Sequence, residues 1–153
     1  MLPVLYNNMY EIVQTPEAVM ILVEMVHDTR IIRINGTHPP AGVRQWMGDT
    51  IGHWEGDTLV AETTNFTPHT RFRGSTADLK VTEHFTRVDD KTFLYKATME
   101  DPGTWAKPWT IEVPVVASNG PIYEYACHEG NYAMTDILSG ARKLEAAETP
   151  KKQ

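Results

Sequence analysis

LKVTEHFTRVDDKTFLYKATM, Leu79 to Met99, places two alternating runs on either side of Asp89-Asp90-Lys91. In an extended chain successive side chains point to opposite faces. Phe93, Tyr95, Ala97 and Met99 therefore share one face, and Leu94, Lys96 and Thr98 the other. In the first run the apolar parity is Val81 and Phe85, and it carries Glu83 and Arg87 with it. The stretch reads as a hairpin with turn chemistry at its tip, and it directs two charges toward the apolar side.

The same punctuation recurs in both directions along the chain. YEIVQT and AVMILVEMV meet at Thr15-Pro16-Glu17, and His27-Asp28-Thr29 leads into RIIRI, closed by Asn35-Gly36. HWEGDTLVAET carries Glu55-Gly56-Asp57 at its tip, and WTIEVPVVA and IYEYACH flank Ser118-Asn119-Gly120-Pro121. About nine strands with short connections predict a mainly β domain. The expected form is an antiparallel up-and-down barrel or a strongly curved meander, since closure removes long exposed edges. NYAMTDILSGARKLEAA, Asn131 to Ala147, is the one helical pattern. One domain over residues 1–147 with a flexible tail at 148–153 is the predicted organisation.

Composition limits what such a domain can do. With 153 residues, 41% hydrophobic and 22% charged, the chain can bury one sizeable core. A net charge of −6 with scattered basic residues argues against nucleic acid as a partner. The longest apolar run, Ala18 to Val26, is too short to span a membrane. MLPVLYNN lacks the basic start and cleavage pattern of a signal peptide, so the chain reads as soluble with its compartment open. A lone cysteine, Cys127, excludes an intramolecular disulfide.

Cofactor signals are absent from the sequence. The six histidines are dispersed, without H-x-H or HExxH spacing, so no metal is expected. No glycine-rich phosphate loop follows a strand, and no serine sits in a G-x-S-x-G elbow. The expected chemistry uses side chains alone.

Charges on apolar faces supply the candidates. Glu24 lies among Met20, Leu22 and Val26, Glu62 follows Val60 in register, and Glu124 and His128 share one face of IYEYACH. Buried charges are expensive unless paired, so these groups, with Glu83 and Arg87, are expected to meet one another, titrate or meet a ligand, the alternative for Glu83 and Arg87 being an outward ion pair where a bulge breaks the parity. Glu124, His128, Glu83 and Glu24 are the candidate acids and bases. Arg87, Arg71, Arg73, Trp46 and Glu62 are the candidate substrate-binding residues. In TRFRG the paired arginines can hold a carboxylate or phosphate, or else form a solvated loop salt-bridged to Asp78 or Glu83. The loop Thr37 to Thr50, with Arg44 and Trp46, breaks the short-turn pattern and reads either as functional or as packing.

GHWEGDTLVAETTNF and YEYACHEGN, together with most of the chain, resemble the C-terminal part of a large group of uncharacterised bacterial proteins, many of them longer and read as exported. The resemblance carries no activity, and it implies an N-terminal segment that this chain lacks. The expected function is a cofactor-independent acid–base enzyme, a hydrolase, lyase or isomerase acting on a small molecule in a barrel pocket. The alternatives are a non-catalytic ligand-binding barrel and a structural or oligomerisation domain. A strand apolar on both faces, Ala18 to Val26, predicts a homo-oligomer.

Overall fold

Alternation along the chain produces eight strands and one helix in the computed structural model, which describes residues 7–126 and 129–148. The strands are β1 (Tyr10–Gln14), β2 (Ala18–Val23), β3 (Thr29–Ile34), β4 (Asp49–Glu55), β5 (Thr58–Thr64), β6 (Lys80–Arg87), β7 (Thr92–Glu100) and β8 (Trp109–Val116). They form a single sheet in sequence order. Every neighbouring pair is antiparallel except β3 and β4.

Strands that are not neighbours meet across the concave face. Arg30 of β3 bonds Glu83 of β6, and Tyr10 and Ile12 of β1 line one pocket with Phe93 of β7 and Val115 of β8. The sheet is thus curled into a half-barrel, with β1 and β8 as its edges. Pro114 sits in β8, where an edge tolerates a missing N–H. The mainly β meander with a C-terminal helix is the architecture that the alternation predicted, with eight strands in place of about nine.

Three details differ from the expected pattern. IYEYACH forms no strand over residues 122–126, and Cys127 and His128 lie outside the described residues. β2 ends at Val23 because the chain turns into a short 3-10 segment, Met25–His27, with Val26 at φ 62°. The third is the parallel pair. A parallel neighbour requires a crossover, and residues 35–48 supply it.

That crossover is bound down along its length. Arg44 Nη1 donates to the carbonyls of Phe66, at 2.9 Å, and Ala77, at 2.6 Å. Asn65 Nδ2 donates to the Pro39 carbonyl at 3.1 Å, and the Gln45 N–H to the Asn65 carbonyl at 2.9 Å. β4 also needs Gly52: a Cβ there would lie 2.7 Å from Ile32 Cγ2 on β3 and 3.0 Å from the Val60 carbonyl on β5.

The buried core has two clusters. Val19, Ile21, Val23, Ile32, Leu59 and Ala61 form one, and Phe66, Leu79, Tyr95, Ala97 and Met99 the other. Phe85 packs against both. The chain divides into two units, Met1–Tyr123 and Glu124–Gln153. In the second, α1 (Ala133–Glu148) begins where Asn131 Oδ1 accepts the Ala133 N–H at 3.1 Å, satisfying one of the helix's free donors. Among the described residues no helix is long and apolar enough to cross a membrane.

Candidate functional site

β6 turns Glu83 into the concave face, where only 1% of the side chain is exposed. β3 delivers Arg30 to the same place from the other side of the curl. Arg30 Nη1 donates to Glu83 Oε1 at 2.9 Å, and Nη2 donates to Oε2. The Tyr95 hydroxyl on β7 donates to Oε1 at 2.8 Å. A buried carboxylate is tolerated when it is matched in this bidentate way with further donors.

The electrostatics follow from that pairing. Burial pushes the Glu83 carboxyl up, but nearby positive charge, that of Arg30 first, and the hydrogen bonds from Arg30 and Tyr95 override it and bring it down to about 2. Burial lowers Arg30, and Glu83 more than restores it. Tyr95 and Tyr10 are both raised, by burial first and by the Glu83 charge second. Glu83 is therefore a carboxylate throughout the physiological range. Arg30 keeps one buried donor, Nε–H, without a hydrogen-bond partner among the described residues.

Above this floor a small pocket has apolar walls. Ile12, Ile21, Val23, Phe85, Phe93 and Val115 wall a pocket of about 30 Å³ at the bottom, with Tyr10, Arg30, Glu83 and Tyr95. Phe85 packs tilted against Phe93 and Tyr95, at centroid distances of 6.0 and 5.2 Å. The pocket opens into a groove of about 980 Å³ whose rim carries Trp54, Arg87, Asp89, Asp90 and Lys91. Arg87 shares a face with Glu83 but stands at the strand end, 67% exposed, and pairs with Asp90 Oδ1 at 3.0 Å. Its expected inward position is corrected to the rim.

Glu62, Glu24 and Trp46 meet partners other than Glu83. Glu62 lies on the outer face, where it accepts from Lys80 Nζ at 2.5 Å and lies 3.5 Å from His38 Nε2. Glu24 sits at the end of β2, buried, and accepts from Asn7 Nδ2 at 3.1 Å. Glu124 belongs to the second unit and is exposed, and His128 lies outside the described residues. Trp46 is 61% exposed on the crossover, its carbonyl accepting from Thr70 Oγ1 at 2.7 Å.

Arg71 and Arg73 form the 3-10 turn of TRFRG, and their expected partners lie elsewhere: Glu83 belongs to Arg30, and Asp78 makes no ion pair with either. Both arginines are left-handed, at φ 39° and φ 49°, a conformation that costs a non-glycine residue about 1 kcal/mol or more. Arg73 lies over the rings of Trp109 and Phe72, its Cζ 5.8 and 5.9 Å from their centroids.

A second charge cluster escaped the sequence reading. Arg33 donates to both oxygens of Asp49, Nη1 to Oδ1 at 2.7 Å and Nη2 to Oδ2 at 3.0 Å, while His38 Nδ1 lies 2.7 Å from Oδ2. Asp49 is held low chiefly by the Arg33 hydrogen bonds, against its burial, and Glu62 chiefly by Lys80. His38 rides on the crossover, so this cluster fastens residues 35–48 to the sheet. Among the described residues no group of three or more His, Cys, Asp or Glu side chains is placed to hold a metal ion.

Arg30 and Tyr95 are the partners of Glu83 that the sequence candidates did not include. Tyr95 had already fallen on the apolar face of its strand, and the same alternation test on RIIRI puts Arg30 in phase with Ile32 and Ile34. No protein-family model, curated protein or solved structure matches the chain, so the functional reading rests on this geometry.

Proposed function

We propose that the half-barrel binds a small, mainly apolar molecule that carries one hydrogen-bond-accepting group, and that it does so without altering it chemically. The observation that carries this reading is a groove of about 980 Å³ with apolar walls from Ile12, Ile21, Leu59, Phe85, Phe93 and Val115 and a charged rim, beside a small pocket floored by charges that match each other. Ligand sites of this size combine apolar walls with a few placed polar groups. Here the half-buried Tyr10, which lines both the small pocket and the groove, is the polar group available at the bottom to orient a ligand.

An acid–base enzyme has less support. Both Glu83 oxygens are engaged by Arg30, and a carboxyl ionised down to about pH 2 is a weak base and a negligible acid at neutral pH.

The test is titration of the full chain with the neutral, carbonyl-bearing dye prodan. Saturable one-site fluorescence enhancement is expected, lost in Ile12→Trp, a substitution that fills the groove from an exposed position on β1. Binding that does not saturate, or that survives Ile12→Trp in a folded variant, would overturn the reading.

A further inference from the structure

We infer that the turn Phe72–Gly74 is a second site, independent of the groove, at which Arg73 captures an oxyanion, a carboxylate or phosphate group. Three observations lead there. Arg73 is exposed, in a chain of net charge −6, and neither it nor Arg71 forms an ion pair with an acid among the described residues. Its guanidinium Cζ lies 5.8 and 5.9 Å from the centroids of Trp109 and Phe72, rings that stack on each other at 6.3 Å and 20°, with Trp105 edge-on to Trp109 at 5.4 Å. The backbone beneath it is left-handed at Arg71, Arg73 and Gly74. Glycine or asparagine would relax the first two positions, and the sequence places arginine at both.

An arginine in cation–π contact with aromatic rings is restrained while its N–H groups stay free to bind a further partner. Its fork suits the two oxygens of a carboxylate or phosphate, and its restraint beforehand lowers the entropy lost on binding. The turn is fixed independently of any ligand. The Ser75 N–H donates to the Phe72 carbonyl at 2.9 Å, and Thr104 Oγ1 to the Gly74 carbonyl at 3.1 Å. The nearby acid Asp101 is buried and occupied by the Thr76 N–H, Thr76 Oγ1 and the Gly103 N–H. It is engaged with the turn that it anchors.

The experiment follows the arginine Nε–H and tryptophan indole N–H resonances of the full chain during titration with inorganic phosphate, glucuronate and neutral glucose. Saturable shifts at Arg73, Trp105 and Trp109 are expected with phosphate, glucuronate or both, and the more effective of the two identifies the oxyanion. Glucose should shift nothing. Arg73→Lys keeps the charge but loses the fork, and should weaken binding about tenfold or more. Arg73→Asn keeps the left-handed backbone and should abolish it without lowering the melting temperature. Ile12→Trp, which blocks the groove, should leave these shifts unchanged, so failure here is separable from failure of the groove reading. Absent or unsaturable shifts, equal response to glucose, or an Arg73→Lys affinity within twofold of the parent would overturn the inference.

Discussion

Arg30 and Arg33 stand on one strand, three residues apart, and the odd spacing sends them to opposite faces of β3. Each meets a carboxylate bidentately, Arg30 with Glu83 and Arg33 with Asp49. The inner pair is nearly waterless, with side chains 8% and 1% exposed. In the outer pair Arg33 is 43% exposed, and His38 shares the acid. The contrast shows how burial, more than bonding pattern, sets the role of an ion pair. The inner one is a fixed floor whose disruption strands a charge. The outer one is a fastening for the crossover, screened by water on one side.

Breaking the inner pair from one side should have the largest effect. Glu83→Leu leaves Arg30 buried and unmatched, and should lower stability by about 3–5 kcal/mol, measured by urea unfolding. Adding Arg30→Met to it should recover much of that loss, because well-packed apolar groups can replace a buried pair. A double variant as unstable as the single one would mean that the floor needs its charges.

Acid sharpens the comparison. Glu83 is depressed in the fold, so its contribution is fully present above its unfolded value of about 4.5 and is lost as pH falls toward about 2. The linkage is on the order of 3 kcal/mol. Asp49 and Glu62 are depressed too, so they act in the same direction, with Glu62 discounted for its exposure. Unfolding free energy measured from pH 6 to pH 3 should therefore fall, and the Glu83→Leu, Arg30→Met double variant should fall less steeply.

The outer cluster should respond more weakly to substitution. Asp49→Asn keeps the shape but removes the charge facing Arg33 and His38, and should lower stability by about 1–3 kcal/mol. Hydrogen exchange should rise first in residues 35–48, the segment it fastens. At the groove rim Arg87→Gln should change stability by less than about 0.5 kcal/mol, since its partner Asp90 is 97% exposed.

Alternation made much of this legible in the sequence. It put Glu83 and Tyr95 in phase with the apolar residues Val81, Phe85, Phe93 and Ala97, and the absence of a bulge in β6 keeps Glu83 on the inner face. It failed for Glu62, where Leu59, Val60 and Ala61 are all buried and parity carries no signal. Glu24 is buried as expected, but it lies one residue past the end of β2 and is met by Asn7. The parallel β3–β4 pair was hidden for a different reason. Nothing local in Thr37 to Thr50 distinguishes a crossover from a lid, since the distinction rests on Arg44 reaching the carbonyls of Phe66 and Ala77.

The Glu83 carboxyl itself tests the central claim, that the groove floor is a matched ion pair and not an acid–base centre. Its side-chain carbon can be followed by carbon-detected NMR from pH 8 down to the lowest pH at which the sheet stays folded. The account predicts a carboxylate throughout that range, with protonation approached only near pH 2. A midpoint at about 5 or above in the folded protein would contradict it, and would restore Glu83 as a general acid or base.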